Sequence, residues 1–163
     1  MASVGPISLR PATADDEPFL YSVYASTRVE ELAATAWAEP AKEAFLRMQY
    51  AAQRSAYRGG HPAASFDVIL VAERAVGRLY VDRLPDVIQV IDIALLPEHR
   101  GHGVGTHLLG ALLEEGAGGG RRVSLNLERS NRARGLYERL GFRVVHGDDV
   151  YLDLEWTPAA DVT

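Results

Sequence analysis

The sequence predicts a mixed α/β layer fold, with a mostly antiparallel central sheet flanked by helices. Three observations carry that expectation. Val123, Leu125 and Leu127 alternate with Ser124, Asn126 and Glu128, the period of a strand with one face in a core. Two apolar runs, Phe66 to Ala72 and Val76 to Val81, flank a tight turn, as the arms of a hairpin do. Helical spacing recurs among the strands, for example at Ala133, Leu136, Tyr137 and Leu140. Elements with one apolar side bury it by stacking as layers.

Taken in order, Ile7 to Arg10 reads as a short first strand, closed by Pro11. Thr13-Ala14-Asp15-Asp16 supplies a helix start, with acidic residues where the helix dipole favours them. Phe19, Leu20, Val23 and Tyr24 are the apolar positions of that helix. From Thr27 to Pro40 the anchors are Leu32 and Trp37. Pro40 suits the first position of a second helix, continued by Ala44, Phe45, Met48, Ala52 and Tyr57 as far as the loop Gly59-Gly60-His61-Pro62. The hairpin follows, turning at Glu73-Arg74, and Pro85-Asp86 leads into the apolar strand Val87 to Leu96. A helix from about Gly103 to Glu115 buries Val104, Leu108 and Leu112, and Gly116 to Gly120 stops it. After the strand Val123–Leu127, Asn131 is a good N-cap for the next helix and Gly141 a left-handed stop. Strands near Phe142–His146 and Val150–Trp156 complete the sheet, and residues 157–163 are a loose tail. The order is strand, helix, helix, three strands, helix, strand, helix, two strands, in a single domain over residues 1–163.

Composition narrows the function. A net charge of −5 argues against nucleic acid as a main ligand. A mildly acidic chain tolerates a cationic amine. There is no cysteine, which excludes a disulfide scaffold, a cysteine zinc site and an acyl-cysteine intermediate. No apolar run resembles a signal peptide or membrane span, so the expected location is the cytoplasm.

The most informative stretch is Arg100-Gly101-His102-Gly103-Val104-Gly105-Thr106. It joins the strand Val87–Leu96 to a helix, so unpaired backbone N–H groups and the positive helix end meet at one turn, a setting for a phosphate. A Walker A loop is unlike it, because no Lys precedes Thr106. The spacing Gly101-x-Gly103-x-Gly105 also differs from the dinucleotide pattern Gly-x-Gly-x-x-Gly. What remains, Arg-x-x-Gly-x-Gly, resembles the pyrophosphate-binding motif of the GNAT superfamily of acetyl-CoA-dependent N-acetyltransferases. A second segment, Asn131-Arg132-Ala133-Arg134-Gly135-Leu136-Tyr137-Glu138-Arg139-Leu140-Gly141-Phe142, looks like the other signature of that superfamily, Asn-x-x-Ala-x-x-Leu-Tyr-Glu-x-Leu-Gly-Phe, a nearly complete match in which Asn131 stands one residue closer to the alanine. Two motifs in the right order constrain each other. The resemblance spans Val87 to Phe142 and implies the GNAT fold, in which two central strands splay and the acyl-pantetheine arm enters the gap.

It also implies an activity and a set of residues. The activity is transfer of an acetyl group from acetyl-CoA to a primary amine, by direct attack in a ternary complex. Arg100, Gly101, His102, Gly103, Val104, Gly105 and Thr106 would hold the pyrophosphate. Leu95 and Leu96 lie at the splay point, where the Leu95 N–H would polarise the thioester carbonyl. Asn131 would contact the pantetheine arm, and Arg134, with Arg132 and Arg139, would reach the 3′-phosphate or form a solvated helix face. Tyr137 would be the general acid; spacing alone makes it a core aromatic. A phenol of pKa about 10 is protonated at neutral pH and can donate to a thiolate. Family members often carry an acid at the position of Gln89, which cannot accept a proton. Asp92, on the same strand, is the candidate base; a hydrogen-bonding role at a strand bulge is equally open, and a water relay is a third route.

For the acceptor, the candidates are Trp37, Tyr80 and Asn126. His99, His102 and His107 gather near the glycine turn without ligand spacing on one helix face, so no metal is expected. The expected partners are an amine-bearing small molecule or peptide, with no nucleic acid and no membrane, and a homodimer is allowed. A catalytically weak acyl-CoA sensor of the same fold is the alternative, along with a relative that uses a longer acyl or an aminoacyl donor.

Overall fold

The computed structural model describes residues 5–159. The strands are β1 (Ile7–Pro11), β2 (Ser65–Val71), β3 (Arg74–Arg83), β4 (Val87–Leu95), β5 (Arg122–Glu128), β6 (Arg143–Gly147) and β7 (Tyr151–Trp156). The helices are α1 (Glu17–Ser26), α2 (Val29–Ala33), α3 (Glu39–Gly60), α4 (Val104–Gly119) and α5 (Arg134–Arg139). The strands make one seven-stranded sheet in the order β1-β2-β3-β4-β5-β7-β6. β1 runs antiparallel to β2, β5 and β6 run antiparallel to β7, and β4 runs parallel to β5. This is the expected mixed sheet flanked by helices.

The chain gathers into two compact units. One holds the residues up to Tyr80 and Ile93–His102; the other holds Val81–Asp92 and the chain from Gly103 onward. In the first, Leu20, Val23 and Tyr24 of α1 are buried, as are Val68 and Ile69 of β2 and Val76, Leu79 and Tyr80 of β3. Arg78 is also buried there, only 2% exposed; it donates to Gln53 Oε1 at 2.9 Å and lies over the rings of Tyr24 and Tyr80. A charge so deep is tolerated because a hydrogen-bond acceptor and aromatic faces replace the lost water. α1 is preceded by a tight turn in which Asp16 accepts two 2.8 Å bonds from the Arg10 guanidinium and one of 2.7 Å from the Thr13 N–H. These bonds hold its carboxyl well below the usual carboxylate range.

In the second unit, Leu108, Leu109 and Leu112 of α4 are buried with Val123, Leu125 and Leu127 of β5 and Leu152 and Leu154 of β7. The alternation seen in the sequence is reproduced: Ser124 and Glu128 are half-buried and Asn126 is exposed.

Several boundaries differ from the sequence reading. α4 runs to Gly119, through the glycines expected to stop it, and the left-handed cap falls at Gly120 with φ 66°. Gly116 explains the extension. A Cβ there would meet Arg121 O at 2.7 Å and the Trp156 ring and Val123 at 3.2 Å, so only glycine lets the helix lie this close. α3 continues past Tyr57 to Gly60, and a one-turn α2 occupies part of the stretch where no periodicity stood out. α5 is shorter than the spacing suggested. The hairpin turns at Ala72-Glu73 rather than Glu73-Arg74, with φ 49° and 66°. Two left-handed residues match the twist of paired strands, which overrides the usual preference for glycine. The expected loose tail lies partly outside the described residues.

Candidate active site

The glycine turn is built as its composition requires. β4 ends at Leu95, a single 3₁₀ turn covers Pro97–His99, and Gly101 and Gly103 both take left-handed conformations, φ 76° and 83°. Gly103 is the N-cap of α4. No atom stands within 4 Å of where a Cβ would project from either glycine, so the face above the turn is open. The N–H groups of the first α4 turn, including Val104, Gly105 and Thr106, have no intrahelical partner and point out of the helix start. Gly101, His102, Gly103 and Thr106 are exposed, while the Val104 side chain is buried and anchors the turn.

Within the second unit the start of α4 meets the second motif. A Cβ on Gly105 would stand 3.9 Å from Leu136 Cδ2, so the start of α4 lies against α5. Asn131, expected as the N-cap, stands two residues ahead of the observed cap Ala133; its Oδ1 accepts the Ala133 N–H at 2.8 Å and so shapes the entry to α5. Gly141, at φ 100°, ends that segment as expected. Arg134 forms an i,i+4 pair with Glu138 at 2.9 Å, on the outside of the helix.

Tyr137, the next residue after Leu136, is 7% exposed and packs edge-on against Phe142, with ring centres 5.9 Å apart. Its phenol is pushed up to about 12, first by burial and then by the charge of Asp92. The charge of Asp92 is thus felt at the Tyr137 phenol, which is neutral at physiological pH. Asp92 is half-buried. Period-two spacing puts it on the same side of β4 as the buried Ile88 and Val90. The parallel register between β4 and β5 runs from Val87↔Arg122 to Val90↔Leu125, whereas both strands continue beyond it. Asp92 thus lies just past the last register pair, and Gln89 lies within the register, opposite Ser124.

In the first unit the end of β4 lies close against β3. A Cβ on Gly77 would meet Ala94 O at 2.2 Å and Leu95 Cα at 3.1 Å. Leu96 donates its N–H to Val76 O at 2.9 Å. Arg100 folds back so that its Nε donates to Leu95 O at 3.0 Å, with Ser26 Oγ 3.5 Å from its terminal nitrogen. Gly77 was missed by sequence reasoning, although an isolated glycine within a strand signals a close backbone approach. No sequence signal pointed to Ser26.

Of the acceptor candidates, Trp37 and Tyr80 belong to the first unit and Asn126 to the second. Tyr80 is 7% exposed and packs against Tyr57 and Phe66, so packing accounts for it. Trp37 is 46% exposed, edge-on to Phe45, beside a shallow apolar hollow lined by Ala41, Ala44 and Met48. Asn126 is exposed and donates to Asp153 Oδ1 at 2.7 Å. Among the described residues no three His, Asp or Glu side chains gather where they would share a metal ion. Nor is any helix among them long and apolar enough to cross a membrane.

Known structures share this architecture. The PaiA N-acetyltransferase from Thermoplasma acidophilum, in complex with coenzyme A, is 18% identical over 93% of this chain and 99% of that one, with a TM-score of 0.69. An acetyltransferase from Thermus thermophilus is 20% identical over 96% and 99% of the two chains, with a TM-score of 0.66. The ribosomal-protein-S18-alanine N-acetyltransferase from Escherichia coli is 18% identical over 95% and 96%, with a TM-score of 0.61. At such identities the likeness is one of fold. A comparison with the curated proteins finds no match. The model of the Acetyltransferase (GNAT) family, however, matches residues 25–142, more than half of the sequence. The chain belongs to the GNAT acetyltransferase family.

Proposed function

We propose that this protein transfers an acetyl group from acetyl-CoA to a primary amine, by direct attack within a ternary complex. The observation that carries the reading is the packing of the α4 start against α5, at Gly105 and Leu136, beside Tyr137. It supports a helix terminus suited to a pyrophosphate and a neutral phenol suited to a thiolate on adjacent elements.

The residues present fit the donor. The open face above Gly101 and Gly103 leaves room for phosphate oxygens to reach the backbone N–H groups of residues 101–106, with the Thr106 hydroxyl alongside. Asn131 contacts the pantetheine arm, since its cap to Ala133 uses only the carbonyl oxygen. Arg134 meets the 3′-phosphate by exchanging its exposed pair with Glu138, a contact of small worth in water. At the end of β4 the Leu96 N–H is committed to Val76, and successive N–H groups of a strand alternate in direction. The Leu95 N–H therefore points to the other edge, where it donates to the thioester oxygen. Arg100 on Leu95 O and the close approach of Gly77 hold that peptide in place.

In the reaction the amine nitrogen forms a bond to the acyl carbon, and negative charge moves to the oxygen facing Leu95 N–H. The carbon–sulfur bond then breaks, and the thiolate takes the Tyr137 proton. The proton lost by the ammonium goes to Asp92 or to water that it orients. The acceptor is an amine-bearing small molecule or peptide. A second reading, an acyl-CoA sensor, is favoured by Gln89, which cannot act as a base where family members often carry an acid. A screen of an amine library for acceptor-dependent release of CoA thiol separates the two. Turnover with at least one amine class supports the enzyme; tight CoA binding with no turnover on any class supports the sensor.

A further inference from the structure

The sheet of the second unit has two faces, and the donor occupies one. Val123, Leu125 and Leu127 of β5 are buried with α4, whose start meets α5. The other face is polar. Residues paired across neighbouring strands share a face, and so do residues two apart on one strand. Gln89 of β4 pairs with Ser124, Asn126 pairs with Asp153, and Asp153 pairs with His146. All five therefore stand on this side. Asn126, Asp153 and His146 form a row across β5, β7 and β6. The row lies at the first step of β5 beyond its last pair with β4, Val90↔Leu125. A bulge completes it. β6 pairs at Val144↔Leu154 and next at His146↔Asp153, so Val145 is an extra residue. An unbroken ladder would set Val145 beside Asp153; the inserted residue re-aims His146 onto it.

Asn126 Nδ2 donates to Asp153 Oδ1 at 2.7 Å, and His146 Nδ1 stands 3.5 Å from Asp153 Oδ2. The carboxylate is thus steadied at both oxygens while 49% of its side chain stays exposed. Glu155, the next carboxylate of β7 on this face, is matched by Arg122 at 3.5 Å, and Arg143 lies opposite it in the ladder. Asp153 is held instead by an amide and an imidazole, neither of which brings a permanent positive charge. We propose that Asp153 is the specificity-determining carboxylate for the acceptor, binding the far ammonium of a diamine whose near amine attacks the thioester. The inference rests on the transferase reading above. With CoA at the α4 start, the opposite face is left to the acceptor, and the two meet where β4 and β5 part. β7 neighbours β5 on the side away from β4. Asp153 therefore lies about one and a half strand spacings, roughly 7 Å, from the line between β4 and β5, which suits two nitrogens joined by about five methylenes. The near nitrogen takes the acetyl group. The far one stays protonated and donates to the open side of the carboxylate. Asn126 is a positioning residue, because it fixes the oxygens that the ammonium meets.

The test compares 1,5-diaminopentane with n-pentylamine, which differ only in the second ammonium. Steady-state thiol release should favour the diamine by about tenfold in kcat/KM, carried by KM, as a hydrogen-bonded charge on a half-open site allows. Asp153→Asn keeps the shape of the side chain and should bring that ratio to about one, with wild-type circular dichroism and CoA affinity. His146→Lys places an ammonium inside the row and should raise the diamine KM. Calorimetric titration of the diamine into the CoA-bound protein reads the same subsite without turnover, and the binding should be lost in Asp153→Asn. A wild type that does not distinguish the two amines, or a folded Asp153→Asn variant that keeps the preference, overturns the proposal. Equal turnover of both amines would refute the subsite and leave the transferase reading standing. Diamine binding that depends on Asp153, without thiol release from any amine, would support the subsite and refute the transfer.

Discussion

Gly77→Ala is the sharpest test of how the fold sets the reacting geometry. The added methyl would start 2.2 Å from Ala94 O and 3.1 Å from Leu95 Cα. An ordinary contact is about 3.4 Å or more, so the end of β4 must retreat by roughly 1 Å, a misplacement of a kind that costs about a hundredfold in rate. The obstruction is backbone on both sides and cannot be relieved by a rotamer change. The stability cost of such overpacking is about 1–3 kcal/mol. The glycine turn lies several residues further on and should keep most of its affinity for CoA. Steady-state thiol release, calorimetric CoA binding and a thermal melt on the same preparation read all three effects. Gly110→Ala is the control, since a Cβ there has nothing within 4 Å and the change should leave turnover intact. A folded Gly77→Ala protein with wild-type kcat would refute the idea that the Leu95 peptide is held for catalysis.

Three further outcomes are expected. Tyr137→Phe should lower kcat by about 10²–10⁴ with little change in CoA affinity. The phenol is raised to about 12 from an ordinary 10, so its contribution to stability is full below pH 10 and is lost as pH rises towards 12. Urea melts across that window should therefore fall less steeply for the Phe variant, and parallel curves would mean the phenol is not buried as described. Asp92→Asn should reduce turnover, move the acidic limb of the pH–rate profile and lower the Tyr137 titration point seen by ultraviolet difference spectra; a destabilised variant with wild-type profiles would remove Asp92 from the mechanism. Glu73→Gly should raise stability by about 1 kcal/mol, because glycine relieves a left-handed conformation, and an unchanged melting temperature would count against strain at that turn.

What the sequence disclosed and what it concealed follow a physical division. The glycine turn, the alternation of β5 and the Asn131-to-Gly141 segment are local patterns, each set by backbone conformation or by one buried face. The turn, the alternation and the Gly141 stop stand in the structure where the pattern put them, while the cap of α5 falls at Ala133, two residues after Asn131. The features that escaped depend on contacts between distant residues. Gly116 sits inside α4 because Trp156 and Arg121 crowd it, which no helix propensity records. Ala72 and Glu73 turn the hairpin without glycine, because strand pairing on both sides fixes their conformation. Arg78 is buried by partners on other elements, and Arg100 folds onto Leu95 O in addition to any role at the phosphates. The acceptor candidates had the weakest footing in the sequence, because aromatic and amide residues at ordinary spacings carry no positional signal. Tyr80 packs against Tyr57 and Phe66, and Trp37 stands exposed, edge-on to Phe45.

The central claim is that the pyrophosphate of CoA rests on the turn that opens α4. Isothermal titration of CoA into wild type and Gly105→Glu tests it most directly. Gly105 has ordinary φ, and a Cβ there meets only Leu136 at 3.9 Å, so the backbone accepts a side chain. A glutamate in the first turn also suits the helix dipole, so the fold should hold. The account predicts a folded variant whose affinity for CoA is reduced more than about a hundredfold, because a carboxylate would face the phosphates. A folded variant that binds CoA with wild-type affinity would place the donor elsewhere and contradict the account.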